Sequence, residues 1–222
     1  SGDAQQSRNL RATFKVGRHI LKFIINARQQ QKAKEEGIGI TRVQSTFNRD
    51  LHTLFKSLED LMKNPSPAMV GSKTLLVQHF HTWLPELAKV LSKDEVIMIA
   101  FSFMDSCKDV TGMLILYKLV LIQQFTQLEM FSEGPERQNF VSSCISWLEP
   151  YWGMPESVSD QYRDQVRLCS AIMAQLVKRP DSDLYQFMPK IVSSYCAIAK
   201  EGVDNTEYLS LLFSKSFPFQ VK

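Results

Sequence analysis

The chain is short of the residues that punctuate loops and sheets, with only nine glycines and nine prolines among 222 residues. That scarcity excludes collagen-like and loop-dominated architectures, disfavours an all-β one, and suits a chain of helices. Cysteine is scarce as well. Cys107, Cys144, Cys169 and Cys196 lie far apart, with no Cys-x-x-Cys pair and no cluster with histidine. Such spacing excludes a zinc framework or a disulfide scaffold, and fits small buried residues in a reducing compartment. Long hydrophobic runs are missing too. The two longest, VIMIAFSFM (96–104) and MLILYKLVLI (113–122), are nine and ten residues, against the roughly 18 or more that a membrane span needs. Because neither run keeps a polar side, both are expected to be core helices covered on several sides, forming a buried antiparallel pair.

Enzyme signatures are absent in the same way. The glycines of GIGIT lack the third glycine and the preceding strand of a dinucleotide fingerprint, and there is no Gly-x-x-x-x-Gly-Lys-Ser/Thr loop to cradle phosphates. His79 and His81 stand two apart, which on a helix turns them to different sides; metal ligation needs a spacing of four. His19 and His52 are isolated, and neither Cys144 nor Cys169 has a histidine neighbour in sequence. No Gly-x-Ser-x-Gly and no His-Glu-x-x-His occurs. The expectation is therefore no catalytic residue, no cofactor and no metal.

What the sequence does contain is helical periodicity from end to end. Between Leu10 and Ala33, Leu10, Phe14, Gly17, Leu21 and Ile24 form one line and Val16, Ile20, Phe23 and Ala27 a second beside it. Both are expected to face inward. EEGIGIT breaks this helix, and a second runs from about residue 43 or 46 to Met62, burying Phe47, Leu51, Leu54, Phe55, Leu58 and Leu61 until KNPSP stops it. Pro65 or Pro67 suits the first turn of a third helix, where a missing N–H costs nothing. Pro85 should interrupt the pattern after Trp83. Ser92 and Glu95 make a capping box, placing the next start at Lys93. Further helices are expected over 110–131, 135–149, 158–177 and 184–200, with a last amphipathic piece over 207–213. No run of period two competes with them.

An internal echo points to a repeat. TWLPELAKVL (82–91) and QFMPKIVSSY (186–195) align position for position through Pro85 and Pro189, and WLEP at 147–150 is a partial third copy. Intervals of 104 and 65 residues between these prolines give no constant period. The expected fold class is all-α: an irregular α-solenoid of armadillo- or HEAT-like stacked helical hairpins. It is expected as a single domain over 1–222, a piece of a larger multidomain protein. Residues 1–7 are expected to be disordered or appended, and no secretory leader is read there.

Charge is uneven. Residues 1–36 hold eight basic against three acidic side chains, whereas the remainder is close to neutral. Arg11, Lys15, Arg18 and Lys22 recur every three or four residues, opposite the apolar lines, as a basic outer stripe. Such a stripe is either a solvated face or a contact for an acidic protein segment or anionic lipid headgroups. Nucleic acid is disfavoured, because aromatic residues are not interleaved with the charges as stacking requires. In EPYWGMPES, Tyr151, Trp152 and Met154 either close a helical layer or form a contact hot spot.

The phrases FKVGRHILKFIINAR (14–28), TLLVQHFHTWLPELAKVLSKDEVIMIAFSFMDSC (74–107), LILYKLVLIQQFTQLEMF and VSSCISWLEPYWG together resemble the central helical region of the dedicator of cytokinesis (DOCK) proteins. The likeness is nearest to the subfamily that includes the modifier of cell adhesion protein. It spans nearly the whole chain and rests on phrasing, not on a catalytic motif. It implies an armadillo-like segment set between a lipid-binding region and an exchange domain, in an atypical guanine nucleotide exchange factor for Rac-type small GTPases. It further implies ELMO-type adaptors and a Rac-type GTPase as partners of the full-length protein, and a cytoplasmic location with recruitment to the plasma membrane. None of the family's catalytic residues has a counterpart here. Flanking domains, an anionic membrane surface and an acidic partner at Arg11, Lys15, Arg18 and Lys22 complete the expected contacts.

Overall fold

A computed structural model describes residues 2–39, 44–151 and 159–178, together with the single positions 185, 188, 189 and 192. Within these the regular elements are helices: α1 (Gly2–Gly37), α2 (Gln44–Lys63), α3 (Val70–His79), α4 (Leu84–Leu87), α5 (Lys93–Ser106), α6 (Leu114–Phe125), α7 (Gly134–Leu148) and α8 (Asp160–Val177). No strand occurs among the described residues. The fold class is all-α, of the helical-repeat kind, as expected. The second arm of the proline echo, the 184–200 and 207–213 helices, Cys196, Trp152 and Met154 all lie outside the described segments.

The chain divides into two compact units, Ser1–Val110 and Thr111–Lys222. In the first, α1 lies along α3 and α4, and α2 along α5. Local signals account for the helix ends. Pro67 opens a 3-10 turn (Pro67–Met69) from which α3 continues. After Trp83, Pro85 sits in the first turn of the single-turn α4, with a 3-10 turn (Phe80–Thr82) before it. Ser92 Oγ accepts from the Glu95 amide while the Glu95 carboxylate accepts from the Ser92 amide at 2.8 Å, so α5 begins at Lys93. These reciprocal bonds satisfy two otherwise orphaned donors. Phe14, Phe55, Phe80, Trp83 and Phe103 meet at the centre of this unit, where Phe80 and Phe103 stack with ring centroids 3.7 Å apart.

The second unit is built on α6 and α8, which lie against each other, with α7 packed on the 3-10 turns Glu129–Phe131 and Glu149–Tyr151. Its own aromatic chain runs Phe125, Phe131, Phe140, Trp147, each ring within 6.4 Å of the next. Ser159 caps α8 by accepting from the Tyr162 amide at 3.2 Å. Phe140, Val141, Cys144, Ile145 and Leu148 of α7, and Val166, Cys169, Ile172, Met173 and Leu176 of α8, are buried as their periodicity requires.

The two apolar helices are less fully covered than expected. Each is flanked by a helix of its own unit, α5 by α2 and α6 by α8. Each also keeps an outer edge, at Met98 and Val120. α6 is shorter than the expected 110–131 run: it begins only after Gly112, whose φ of +59° suits glycine. It ends at Phe125, and a 3-10 turn (Glu129–Phe131) follows.

Candidate functional site

α1 is the element that carries the expected contact residues, and it is longer at both ends than the expected Leu10–Ala33. Its buried line is Ser7, Phe14, Leu21, Ile25, Arg28 and Glu35, mostly one position every seven residues, as for a helix seated in a groove. Each polar residue on this line finds a partner. Ser7 Oγ donates to the Ala68 carbonyl at 2.6 Å, and Ser72 Oγ donates to the Ser7 carbonyl at 3.0 Å. The Arg28 guanidinium donates to the Glu35 carboxylate at 2.9 Å and lies over the Phe47 ring. Gly17 faces Trp83 so closely that a Cβ there would stand 2.5 Å from the indole.

The basic stripe does not lie opposite this line but beside it, and it is broken into parts. Arg11 runs across the backbone of Gly71 on α3, its Cδ 3.2 Å from the place a Cβ would take. Arg8, Arg11 and Lys15 share the rim of a shallow groove of about 600 Å³ with Ala12, Gly71, Thr74 and Leu75. Arg18, itself exposed, pairs with a buried acid: its Nε stands 3.5 Å from Glu86, a carboxylate only 4% exposed that also accepts from Lys89. The Lys89 hydrogen bond, joined by Arg18, holds Glu86 below its ordinary value although burial pushes the other way. Lys22 stays exposed. Of the four positions the groove gathers Arg11 and Lys15 and adds Arg8, to which sequence spacing gave no special place.

The second apolar line of α1 is a correction of a different kind. Val16, Ile20, Phe23 and Ile24 are 47%, 43%, 75% and 41% exposed. α1 is thus apolar on two sides, with only one of them covered in its unit. Leu54 on α2 and Val70 on α3 likewise lie outward, and Met62, not Leu61, completes the inner face of α2.

A second groove, of about 610 Å³, runs between α2 and α5, with His52, Lys56, Glu59 and Met98 among its lining. His52 Nε2 stands 3.4 Å from Glu95, whose carboxyl is held down chiefly by the Ser92 backbone and hydroxyl. His79 ends α3 and His81 lies in the 3-10 turn that follows. Burial depresses His81, and its Nδ1 meets no hydrogen-bond partner. Among the described residues no three His, Cys, Asp or Glu side chains gather as a metal would require. Burial pushes the thiols of Cys144 and Cys169 upward, which keeps them in the neutral, weakly nucleophilic form.

Sequence reasoning passed over two buried cations in the second unit. Lys118, in the middle of the apolar α6, is 2% exposed; its Nζ donates to the Tyr151 hydroxyl at 3.3 Å and lies over the ring. Tyr151 is accordingly buried and closes a helical layer, the plainer of its two readings. Arg137 donates to the Leu176 carbonyl at 3.1 Å, satisfying an acceptor of the last turn of α8 that the helix itself leaves open. A lone charge inside an apolar run was the available signal for Lys118.

Capped amphipathic helices with separate aromatic cores, grooves edged by charge, and buried thiols define an all-α helical-repeat region. Residues 1–193 match the family described as "Dedicator of cytokinesis (DOCK) TPR region". The chain belongs to the dedicator of cytokinesis family, as its helical repeat segment. No curated protein and no solved structure matches it.

Proposed function

We propose that this chain is a non-catalytic helical scaffold within an atypical guanine nucleotide exchange factor for Rac-type small GTPases. In this reading it holds lipid-binding and exchange modules of the longer protein in a fixed relation and offers surface to partners. The single observation that carries it is the family match across residues 1–193. Stacked helices suit the role because each layer contacts its neighbours, giving a stiff body without a reaction centre. Both units would be parts of one helical segment of a multidomain chain. Its nearest kin would be the subfamily that includes the modifier of cell adhesion protein. ELMO-type adaptors and the GTPase would meet the full-length protein, which would reside in the cytoplasm and be recruited to the plasma membrane.

A second reading is an independent peptide- or anionic-lipid-binding module working through α1. The observation favouring it is the groove where Arg8, Arg11 and Lys15 converge. Vesicle binding compared before and after charge reversal at Arg11, Lys15, Arg18 and Lys22 separates the readings. The scaffold reading expects no change, and loss of substantial binding favours the module.

A further inference from the structure

The unpartnered side of α1 carries more information than exposure alone. Val16, Ile20, Phe23 and Ala27 follow one another at intervals of four, three and four, the spacing by which one helix receives the knobs of another. Val16, Ile20 and Phe23, with Ile24 beside them, are each more than two-fifths exposed. The opposite side of the same helix is seated on α3 and α4. A helix apolar on two sides is built to lie between two layers.

Charge then narrows what the outer layer can be. One edge of the ladder is basic: His19 lies along it with Lys15 and Lys22 farther round, and Arg8 continues it at the rim of the groove over Gly71. No acidic side chain lines that groove. The other edge, at Thr13 and Ile24, carries no charge. A membrane-seated helix needs a broad apolar face with basic residues about it. Here the large exposed residues span only Val16 to Ile24, a strip matched to one helix, with cations on one edge alone. A second copy of the same face would set cations against cations.

We propose that the outer face of α1 receives an amphipathic α-helix bearing acidic residues along one flank, with Phe23 as the central anchor and Arg8 and Lys15 as the charge partners. The inference rests on the scaffold reading, since an outer layer is what a helical stack supplies. Docking leaves α1 in place: Arg11 already lies along Gly71, and Arg18 stays with Glu86.

The test uses the whole chain and a synthetic helix of about three heptads with leucines at the ladder spacing and glutamates on one flank. Its control carries lysines in place of the glutamates. Fluorescence anisotropy should give the glutamate peptide at least about tenfold tighter binding, and Phe23→Asp should weaken it about tenfold as a lost anchor does. Charge reversal at Arg8 and Lys15 should transfer the preference to the lysine peptide. Because Phe23 is 75% exposed, the unfolding midpoint of Phe23→Asp should match the parent. Equal binding of both peptides, or binding indifferent to Phe23→Asp, overturns the proposal. So does a Phe23-dependent dimer in sedimentation, or Phe23-dependent capture by phosphatidylcholine vesicles with about 30% phosphatidylserine. Acceleration of Rac nucleotide exchange by the chain would break the scaffold reading instead, and leaves these binding outcomes separately legible.

Discussion

Gly17 and Trp83 touch where α1 crosses the turn before α4, so closely that a Cβ on residue 17 would stand 2.5 Å from the indole Cζ2 and 3.1 Å from Cε2. The indole is 5% exposed and ringed by Phe14, Phe55 and Phe80, so it has nowhere to retreat. Glycine in the middle of a 36-residue helix is ordinarily a weakness of roughly 0.5–1 kcal/mol relative to alanine. At this position the close approach outweighs that gain.

Gly17→Ala should therefore destabilise the first unit by about 1–3 kcal/mol, as an overpacked core does. Gly71→Ala is the control. The atom it meets belongs to the exposed Arg11 side chain, which can move aside. That variant should be neutral or more stable by up to about 1 kcal/mol. Urea unfolding of the two variants side by side checks the contrast, and equal destabilisation would refute it.

The capping box should be worth about 1 kcal/mol, so Ser92→Ala lowers the unfolding free energy read from urea titration by that amount. Its pH dependence has a definite sign. The folded state holds Glu95 and Glu86 below their ordinary value of 4.5. Their stabilisation is then complete above that pH and is lost as pH falls through the folded values. His81 is also depressed, from 6.5, by burial. Its contribution is present above pH 6.5 and drains away below it, because the unfolded chain takes up the proton first. Unfolding midpoints followed from pH 8 to 3 should show a shallow decline beginning near 6.5 and a steeper one below 4.5. A flat profile down to pH 4 contradicts the His81 assignment.

Arg137→Ala should destabilise the second unit by about 1–3 kcal/mol, because the Leu176 carbonyl loses a charge-assisted donor inside the protein. Hydrogen exchange would locate the effect: amides of the last turns of α8 should lose protection, with those of α1 unchanged. Loss of protection in α1 instead would place the role of Arg137 elsewhere.

How much of this was readable beforehand depended on whether a signal was local. The Ser92 box, Pro67, Pro85 and the inward faces of α7 and α8 are written within a few residues of where they act, and the structure follows them. The second apolar line of α1 was not readable in that way. Periodicity says that Val16, Ile20 and Phe23 share a side, but not whether that unit provides a neighbour for it. The same limit applied to the basic stripe: the position of α3 decides that Arg11 lies on Gly71, and buried Glu86 decides the fate of Arg18. Lys118 looked like an interruption of an apolar run, because its partner Tyr151 is 33 residues away.

The most direct measurement of the central claim is release of a fluorescent guanine nucleotide from Rac in the presence of this chain. A helical spacer with no reaction centre leaves the release at its spontaneous rate at every concentration of the chain, with or without Phe23→Asp. Release that quickens in proportion to added chain would contradict the account.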